Sequence, residues 1–102
     1  MAEKVELLHP DPDKEGGRCD AARYRAMKRA LLQVIPRRGE GVAFGDLSEL
    51  VRPRLPEDVF EGASVTWHVT SVKLDLEARG LIERVPGVRP QHLRRARGVR
   101  AG

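Results

Sequence analysis

Apolar residues recur every three or four positions in two long stretches of the chain, which predicts two amphipathic helices. Asp20 is the predicted N-cap of the first helix, because its carboxylate can accept from unpaired amides of the first turn. The helix is predicted to end at Pro36, whose ring clashes with a continuing helical turn. Its apolar stripe consists of Tyr24, Met27, Leu31, Val34 and Ile35. The opposite side carries Arg25, Arg29 and Gln33.

The second long stretch predicts the helix with the clearest limits, which is the third helix of the chain. Ser64 is its predicted N-cap, and Gly80 stands where a left-handed residue ends a helix. Leu81 is then in position for the hydrophobic contact of a Schellman ending with Leu76. The core stripe of this helix is Val65, Val69, Val72 and Leu76.

Shorter elements are predicted between these two helices. The segment 42–44 reads as a very short strand, and a second helix ends at or before Pro53. The apolar residues of that second helix, at i, i+3 and i+4 spacing, are Leu47, Leu50 and Val51. The group 57–60 is predicted to form one helical turn with Phe60 directed inward.

Two strands are predicted at 81–85 and 91–95, joined by a type II turn at Pro86-Gly87. The order helix, short strand, helix, helix, hairpin is that of an α+β winged helix, with the hairpin as the wing. A chain of 102 residues is one domain by size. We therefore predict three regions, which are an N-terminal extended arm at 1–17, a winged-helix domain at 18–96 and a flexible basic tail at 97–102.

The run from Leu74 to Arg84 resembles the ending of winged-helix recognition helices, where a leucine, an acidic residue, a glycine and an apolar pair lead into the wing. From roughly Val5 to Arg95 the chain also resembles a family of short bacterial proteins of unknown function. The motifs that carry this second resemblance are His9-Pro10-Asp11, Ala22-Arg23-Tyr24, Trp67-His68-Val69 and Lys73-Leu74-Asp75-Leu76-Glu77-Ala78. The resemblance implies the fold and no activity.

Charge is distributed in four blocks of alternating sign. Residues 1–17 sum to −3, residues 18–38 to +6, residues 39–83 to −5 and residues 84–102 to +6, for a net charge of +4. Two basic blocks separated by an acidic one can steer a polyanion to one face of the molecule. The alternative is that the basic and acidic blocks neutralise each other across the fold.

The predicted nucleic-acid site combines the third helix with the wing, and the predicted partner is double-stranded DNA bound by a transcription-regulator-like protein. Thr66 and Thr70 can hydrogen-bond phosphates or base edges, with Lys73 near the groove. The wing residues predicted to contact phosphates are Arg84, Arg89, Arg94 and Arg95. Because the first half of the helix has no Arg, Asn or Gln, phosphate binding is better supported than base reading.

A protein-interaction module without nucleic-acid or catalytic activity is the alternative function. Trp67 and Leu74 lie with Ala78 in an arc nearly opposite the core stripe, which is typical of a partner surface such as a homodimer interface. The other interpretation is that the arm, or Phe60, covers Trp67 within the chain. The eleven residues of Pro53–Ala63 also exceed the 3–4 that join the two helices of a DNA-reading helix-turn-helix.

The remaining reactive side chains do not predict an enzyme. Cys19 precedes a helix N-terminus, a position that can lower a thiol pKa, but no base to serve a nucleophile is identifiable. The spacing of His9, His68 and His92 fits no metal site, and His68 is predicted to be a partly buried hydrogen-bonding residue. We therefore expect no catalytic residue, cofactor, metal or small-molecule substrate.

The expected location is the cytoplasm of a bacterium, without a membrane partner. No apolar run approaches the ~20 residues that a membrane span needs, and residues 1–9 lack the apolar segment of a secretory signal. The single cysteine excludes an internal disulfide.

Overall fold

The computed structural model describes residues 3–101 and shows within them a small mixed α+β domain with four helices and two small antiparallel sheets. The elements are β1 (Lys4–Glu6), β2 (Arg18–Asp20), α1 (Ala21–Val34), β3 (Val42–Ala43), α2 (Leu47–Val51), α3 (Glu57–Phe60), α4 (Val65–Ala78), β4 (Ile82–Arg84) and β5 (His92–Arg95). Short 3₁₀ turns at Phe44–Asp46 and Arg52–Arg54 flank α2. No helix in this part of the chain is long and apolar enough to cross a membrane.

The first predicted helix is confirmed as α1, including its start and its end. The Asp20 carboxylate accepts a hydrogen bond from the Arg23 backbone N–H at 3.1 Å and so satisfies an amide that has no partner within the helix. The last helical residue is Val34, just before Pro36. The residues that α1 buries are Ala21, Tyr24, Met27, Ala30, Leu31 and Leu32. Val34, at the margin of the predicted stripe, is only partly buried.

The third predicted helix is confirmed as α4, which packs against α1. The Ser64 hydroxyl accepts from the Trp67 N–H at 3.1 Å. At the other end Gly80 has φ +75°, and the Leu81 N–H donates to the Leu76 carbonyl at 2.9 Å, as a Schellman ending requires. The fully or almost fully buried stripe is Val69, Val72 and Leu76, and each such side chain contributes roughly 1.5–3 kcal/mol by its burial.

The predicted hairpin is confirmed as β4 and β5, and it gains a third strand. β5 lies between β3 and β4 in an antiparallel sheet, and Gly87 in the turn has φ +74°. Leu93 on the middle strand is completely buried and pairs with Val42 of β3. Gly41 allows this close approach, because a Cβ there would overlap the Leu93 carbonyl oxygen.

The N-terminal region forms a hairpin against the body of the domain. β1 pairs with β2, and Val5 lies opposite Cys19, although no strand was predicted over 18–20. The Leu7 N–H donates to the Gly17 carbonyl at 2.8 Å, and Leu7 is buried in the core. This arm hairpin, residues 3–20, thus uses residues that lie on both sides of the predicted boundary at residue 17.

The last residues also contact the domain. The predicted tail contains Val99, which is partly buried against the core and whose carbonyl accepts from Arg95 at 3.0 Å. Residues 1, 2 and 102 of the predicted arm and tail lie outside the described residues. The flexibility of the tail stays a prediction.

The second predicted helix is confirmed as α2, and one of its apolar residues does not enter the core. Leu47 and Val51 are completely buried, but Leu50 is 41% exposed. Leu50 lies within α2, whose five residues are followed directly by a 3₁₀ turn. The helical turn with Phe60 directed inward is confirmed as α3.

Candidate nucleic-acid interface

The outward side of α4 carries the two predicted threonines. Thr66 and Thr70 are exposed and Ser71 is partly buried, because the helix turns its valine and leucine stripe toward α1. Their hydroxyl groups can donate to phosphate oxygens. This surface has hydrogen-bonding capacity but no free positive charge.

Lys73 was predicted to lie near the groove, and this prediction was wrong. The side chain is almost completely buried, its ammonium forms an ion pair with Glu77 one turn later and it lies 5.1 Å from the centroid of the Phe44 ring. Burial lowers the pKa of Lys73, and the Glu77 carboxylate opposes that change. Lys73 is therefore unavailable to an external ligand.

Two of the predicted wing arginines form hydrogen bonds or ion pairs within the domain. Arg94 pairs with the Glu83 carboxylate across the hairpin at 2.9 Å. Arg95 donates to the carbonyls of Ile35 and Val99, at 2.9 and 3.0 Å. Both guanidinium groups are partly engaged before any ligand arrives.

Arg84 and Arg89 remain more accessible. The Arg84 side chain is 57% exposed although its Nε donates to Glu77 at 3.1 Å. Arg89 is exposed and joins no ion pair among residues 3–101. The two side chains line a cleft of about 240 Å³, the hairpin cleft, whose other lining residues are Val85, Val88, Gln91 and His92. No carboxylate is among the lining residues, but Glu77 pairs with Arg84 at the margin, so Arg89 is the cation of the cleft without an ion pair within residues 3–101.

One residue that lines the hairpin cleft has a side-chain atom without a hydrogen-bond partner. The Gln91 side-chain oxygen is buried and accepts no hydrogen bond from the described residues. His92 uses its Nδ1 locally, at 2.7 Å from the Pro90 carbonyl. The Gln91 oxygen is enclosed by the protein, so it is not accessible to a ligand in the cleft.

The predicted interface residue Trp67 is 45% exposed. Its ring contacts His68 edge to face with centroids 4.8 Å apart. Phe60 packs on the same histidine at 5.3 Å, so Phe60 covers His68 and leaves much of the indole open. Leu74 on the same helix is partly buried.

His68 behaves as predicted. It is 6% exposed, and its Nδ1 lies 2.7 Å from the Ser64 carbonyl. His9 likewise serves the local backbone, since its Nδ1 accepts from the Asp11 N–H at 3.0 Å. Within residues 3–101, no group of three His, Cys, Asp or Glu side chains is placed to hold a metal ion.

Cys19 precedes the N-terminus of α1, a position that can lower a thiol pKa, but its surroundings act in the opposite direction. The side chain, on β2 of the arm hairpin, is buried in the core, and burial raises the thiol pKa, with the Asp20 carboxylate acting in the same direction. The thiol is therefore held in its unreactive, protonated form.

The residue that sequence reasoning missed is Asp75, which is completely buried. It accepts from the Tyr24 hydroxyl at 2.5 Å, from Arg79 at 2.8 Å and from the Leu8 backbone N–H at 2.8 Å. Burial, with the Asp75 hydrogen bond as the next cause, raises the pKa of Tyr24 to about 12. The only sequence signal was a carboxylate beside the core stripe with an arginine four residues later. Asp75 joins the arm hairpin, α1 and α4, so its role is structural.

A family model described as "Family of unknown function (DUF6958)" matches residues 4–93. The match agrees with the predicted resemblance to a family of unknown function. No curated protein and no solved structure matches the chain.

Proposed function

The chain belongs to this family of unknown function, and from that premise we propose that it is a bacterial, cytoplasmic winged-helix protein that binds double-stranded DNA through phosphate contacts. In this proposal the C-terminal hairpin, residues 82–95, is the wing. Binding is weak and strongly dependent on salt, because each phosphate contact releases counterions.

The topology supports the winged-helix assignment. A three-helix body with α4 at its end leads directly into the C-terminal hairpin, and the short strand β3 completes the sheet in the order β3-β5-β4. The extra turn α3 occupies the long connection between α2 and α4. The residues that separate those helices are therefore ordered structure and not an open loop.

The observation that carries DNA binding is the hairpin cleft. Arg84 and Arg89 both line this cleft; Arg84 keeps 57% of its side chain exposed beside Glu77, and a guanidinium group binds phosphate oxygens through two parallel hydrogen bonds. Thr66 and Thr70 add neutral donors on α4. Because Lys73 is neutralised by Glu77, the helix supplies no cation for base recognition, and we expect little discrimination between sequences.

The test is the salt dependence of binding to a labelled duplex of mixed sequence, followed by fluorescence anisotropy. The variant Arg84→Gln/Arg89→Gln removes two phosphate contacts, so the slope of log affinity against log salt should become less steep by about 1.8. The matched control is Lys14→Gln/Arg18→Gln, which removes the same charge from exposed positions of the arm hairpin.

If the slope becomes less steep by the same amount in the hairpin and arm variants, binding depends on net charge alone and the hairpin cleft is not the site. A hairpin variant that keeps the wild-type slope would also exclude the hairpin cleft. Absence of binding by the wild-type protein at low salt would refute the function itself. A folded hairpin variant is recognised by an unchanged circular dichroism spectrum.

A protein interface on α4 is the second candidate, and the exposure of Trp67 favours it. An indole that is 45% exposed, on the same helix as the partly buried Leu74, is typical of a contact with another protein. The homodimer is tested by sedimentation of the wild type and of Trp67→Ala. Wild-type dimers that dissociate in the variant support it, and a wild type that remains monomeric up to high concentration excludes it.

The cytoplasmic location stays a prediction. That the protein is not an enzyme and carries no cofactor stays a prediction.

A further inference from the structure

The side of α1 that faces solvent carries a row of cations. Arg25, Arg29 and Gln33 are spaced at i, i+4 and i+8, and all three are exposed. Residues four apart lie above one another on a helix, about 6 Å apart along its axis. Because the opposite side of α1 packs on α4 and α2, this row is directed away from the core.

Arg54 adds a third cation to the row, beside Gln33. Its guanidinium donates to the Gln33 side-chain oxygen at 3.0 Å, which orients it from the 3₁₀ turn after α2. Three guanidinium groups thus border one open groove of about 550 Å³, the α1 groove. Its lining residues are Arg25, Ala26, Arg29, Gln33, Arg54 and Pro56.

The charges of the α1 groove are not balanced within the protein. No carboxylate lines the groove, and residues 21–36 contain no acidic residue. None of Arg25, Arg29 and Arg54 belongs to an ion pair within residues 3–101. Like charges at i and i+4 destabilise a helix by about 0.2–0.5 kcal/mol, and an anion bound between them would relieve this repulsion.

We propose that the α1 groove is a second phosphate-binding surface, which binds the sugar–phosphate backbone of a nucleic-acid strand. This inference rests on the proposed function and adds a site on a different helix from α4. A row of guanidinium groups at regular intervals suits a linear polyanion whose charges repeat along its length. The groove has no aromatic lining, so bases do not stack there, and binding is independent of sequence.

The experiment compares Arg25→Gln/Arg29→Gln with the arm control Lys14→Gln/Arg18→Gln in the duplex-binding assay. Glutamine has nearly the helix propensity of arginine, so α1 should remain intact. Loss of two phosphate contacts should make the salt slope less steep by about 1.8, so that the affinity lost between 50 and 200 mM salt becomes roughly 12-fold smaller. The arm control should keep the wild-type slope.

A third variant tests the orientation of Arg54. Gln33→Leu leaves the charge unchanged and removes the acceptor of the Arg54 hydrogen bond. We expect a smaller loss of affinity than in the double arginine variant, because one cation is released and not removed. Affinity equal to that of the wild type would exclude Arg54 from the site.

The outcomes separate this inference from the proposed function. If the wild type binds DNA and only the hairpin variant weakens binding, the α1 groove is not a phosphate surface, although the function stands. If only the groove variant weakens binding, the groove is confirmed and the hairpin cleft is not the site. If the wild type does not bind, both fail. Self-association that is lost in the groove variant, without any change in DNA affinity, would assign the groove to an acidic segment of a second copy and refute the inference.

Discussion

Replacement of Asp75 by asparagine should strongly destabilise the domain, although the two side chains have the same shape. The carboxylate is completely buried, and one of its oxygens accepts from both the Tyr24 hydroxyl and Arg79. The asparagine amide offers a donor in place of that acceptor. The bond from the Leu8 N–H to the other oxygen can be retained by the asparagine carbonyl.

The size of the loss depends on which hydrogen bonds Tyr24 and Arg79 can form once the carboxylate is replaced. A hydrogen bond to a charged group contributes about 1.5–3 kcal/mol. The Tyr24 hydroxyl can rotate and accept from the amide, so part of its bond survives. The Arg79 side chain is 37% exposed, so its guanidinium can turn to water. We therefore expect a loss of about 3 kcal/mol, at the lower end of the range for breaking a buried ionic contact.

The assay is thermal and urea unfolding followed by circular dichroism. For a domain of this size a loss of about 3 kcal/mol lowers Tm by roughly 12–24 °C. The control is Asp58→Asn on α3, where the carboxylate is exposed and the expected change is within about 0.5 kcal/mol. A loss below about 1 kcal/mol for Asp75→Asn would refute the view that this carboxylate joins the arm hairpin to the two long helices.

Three further outcomes are expected. Tyr24 is the only tyrosine, so absorbance should report its titration near pH 12. Because the folded-state pKa is raised, the stability that this group contributes is complete below pH 10 and should fall as pH rises toward 12. The variant Tyr24→Phe should abolish that part of the pH dependence. Cys19 should react slowly with a thiol-specific disulfide reagent in the native protein and quickly after unfolding, and rapid native reaction would contradict its raised thiol pKa. Gly41→Ala should destabilise the domain by more than 1 kcal/mol, because φ is +73° and the new Cβ overlaps the Leu93 carbonyl; unchanged urea unfolding would show that β3 is dispensable.

The candidate site was predicted only in part, and the errors have one cause. Thr66 and Thr70 were correctly expected on the outward side of α4, since a helical period determines which residues share a face. The same period cannot show that Lys73 is buried under Phe44 or that Asp75 meets Tyr24 from another helix. Such partners are distant in the sequence, and their positions depend on how the helices pack.

The arm hairpin illustrates the same limit in the backbone. The segment 18–20 has no alternating apolar pattern. It forms β2 because the chain, after a turn rich in proline and glycine, returns alongside β1 and pairs with it. A strand of three residues has little intrinsic preference, so its partner decides its structure. The local period likewise placed Leu50 in α2, but it could not show that Leu50 stays 41% exposed while Leu47 and Val51 are buried.

The sequence by itself determined the two long helices, their caps and the final hairpin. Each depends on local interactions, such as the hydrogen bond from the Trp67 N–H to Ser64 or the left-handed conformation of Gly80. Only the tertiary structure decided which charged groups remain available to a ligand. Lys73 and Arg94 are neutralised by carboxylates, whereas Arg89 is left without an ion pair in the described part of the chain, because ion pairing depends on distances in space that the order of residues does not specify.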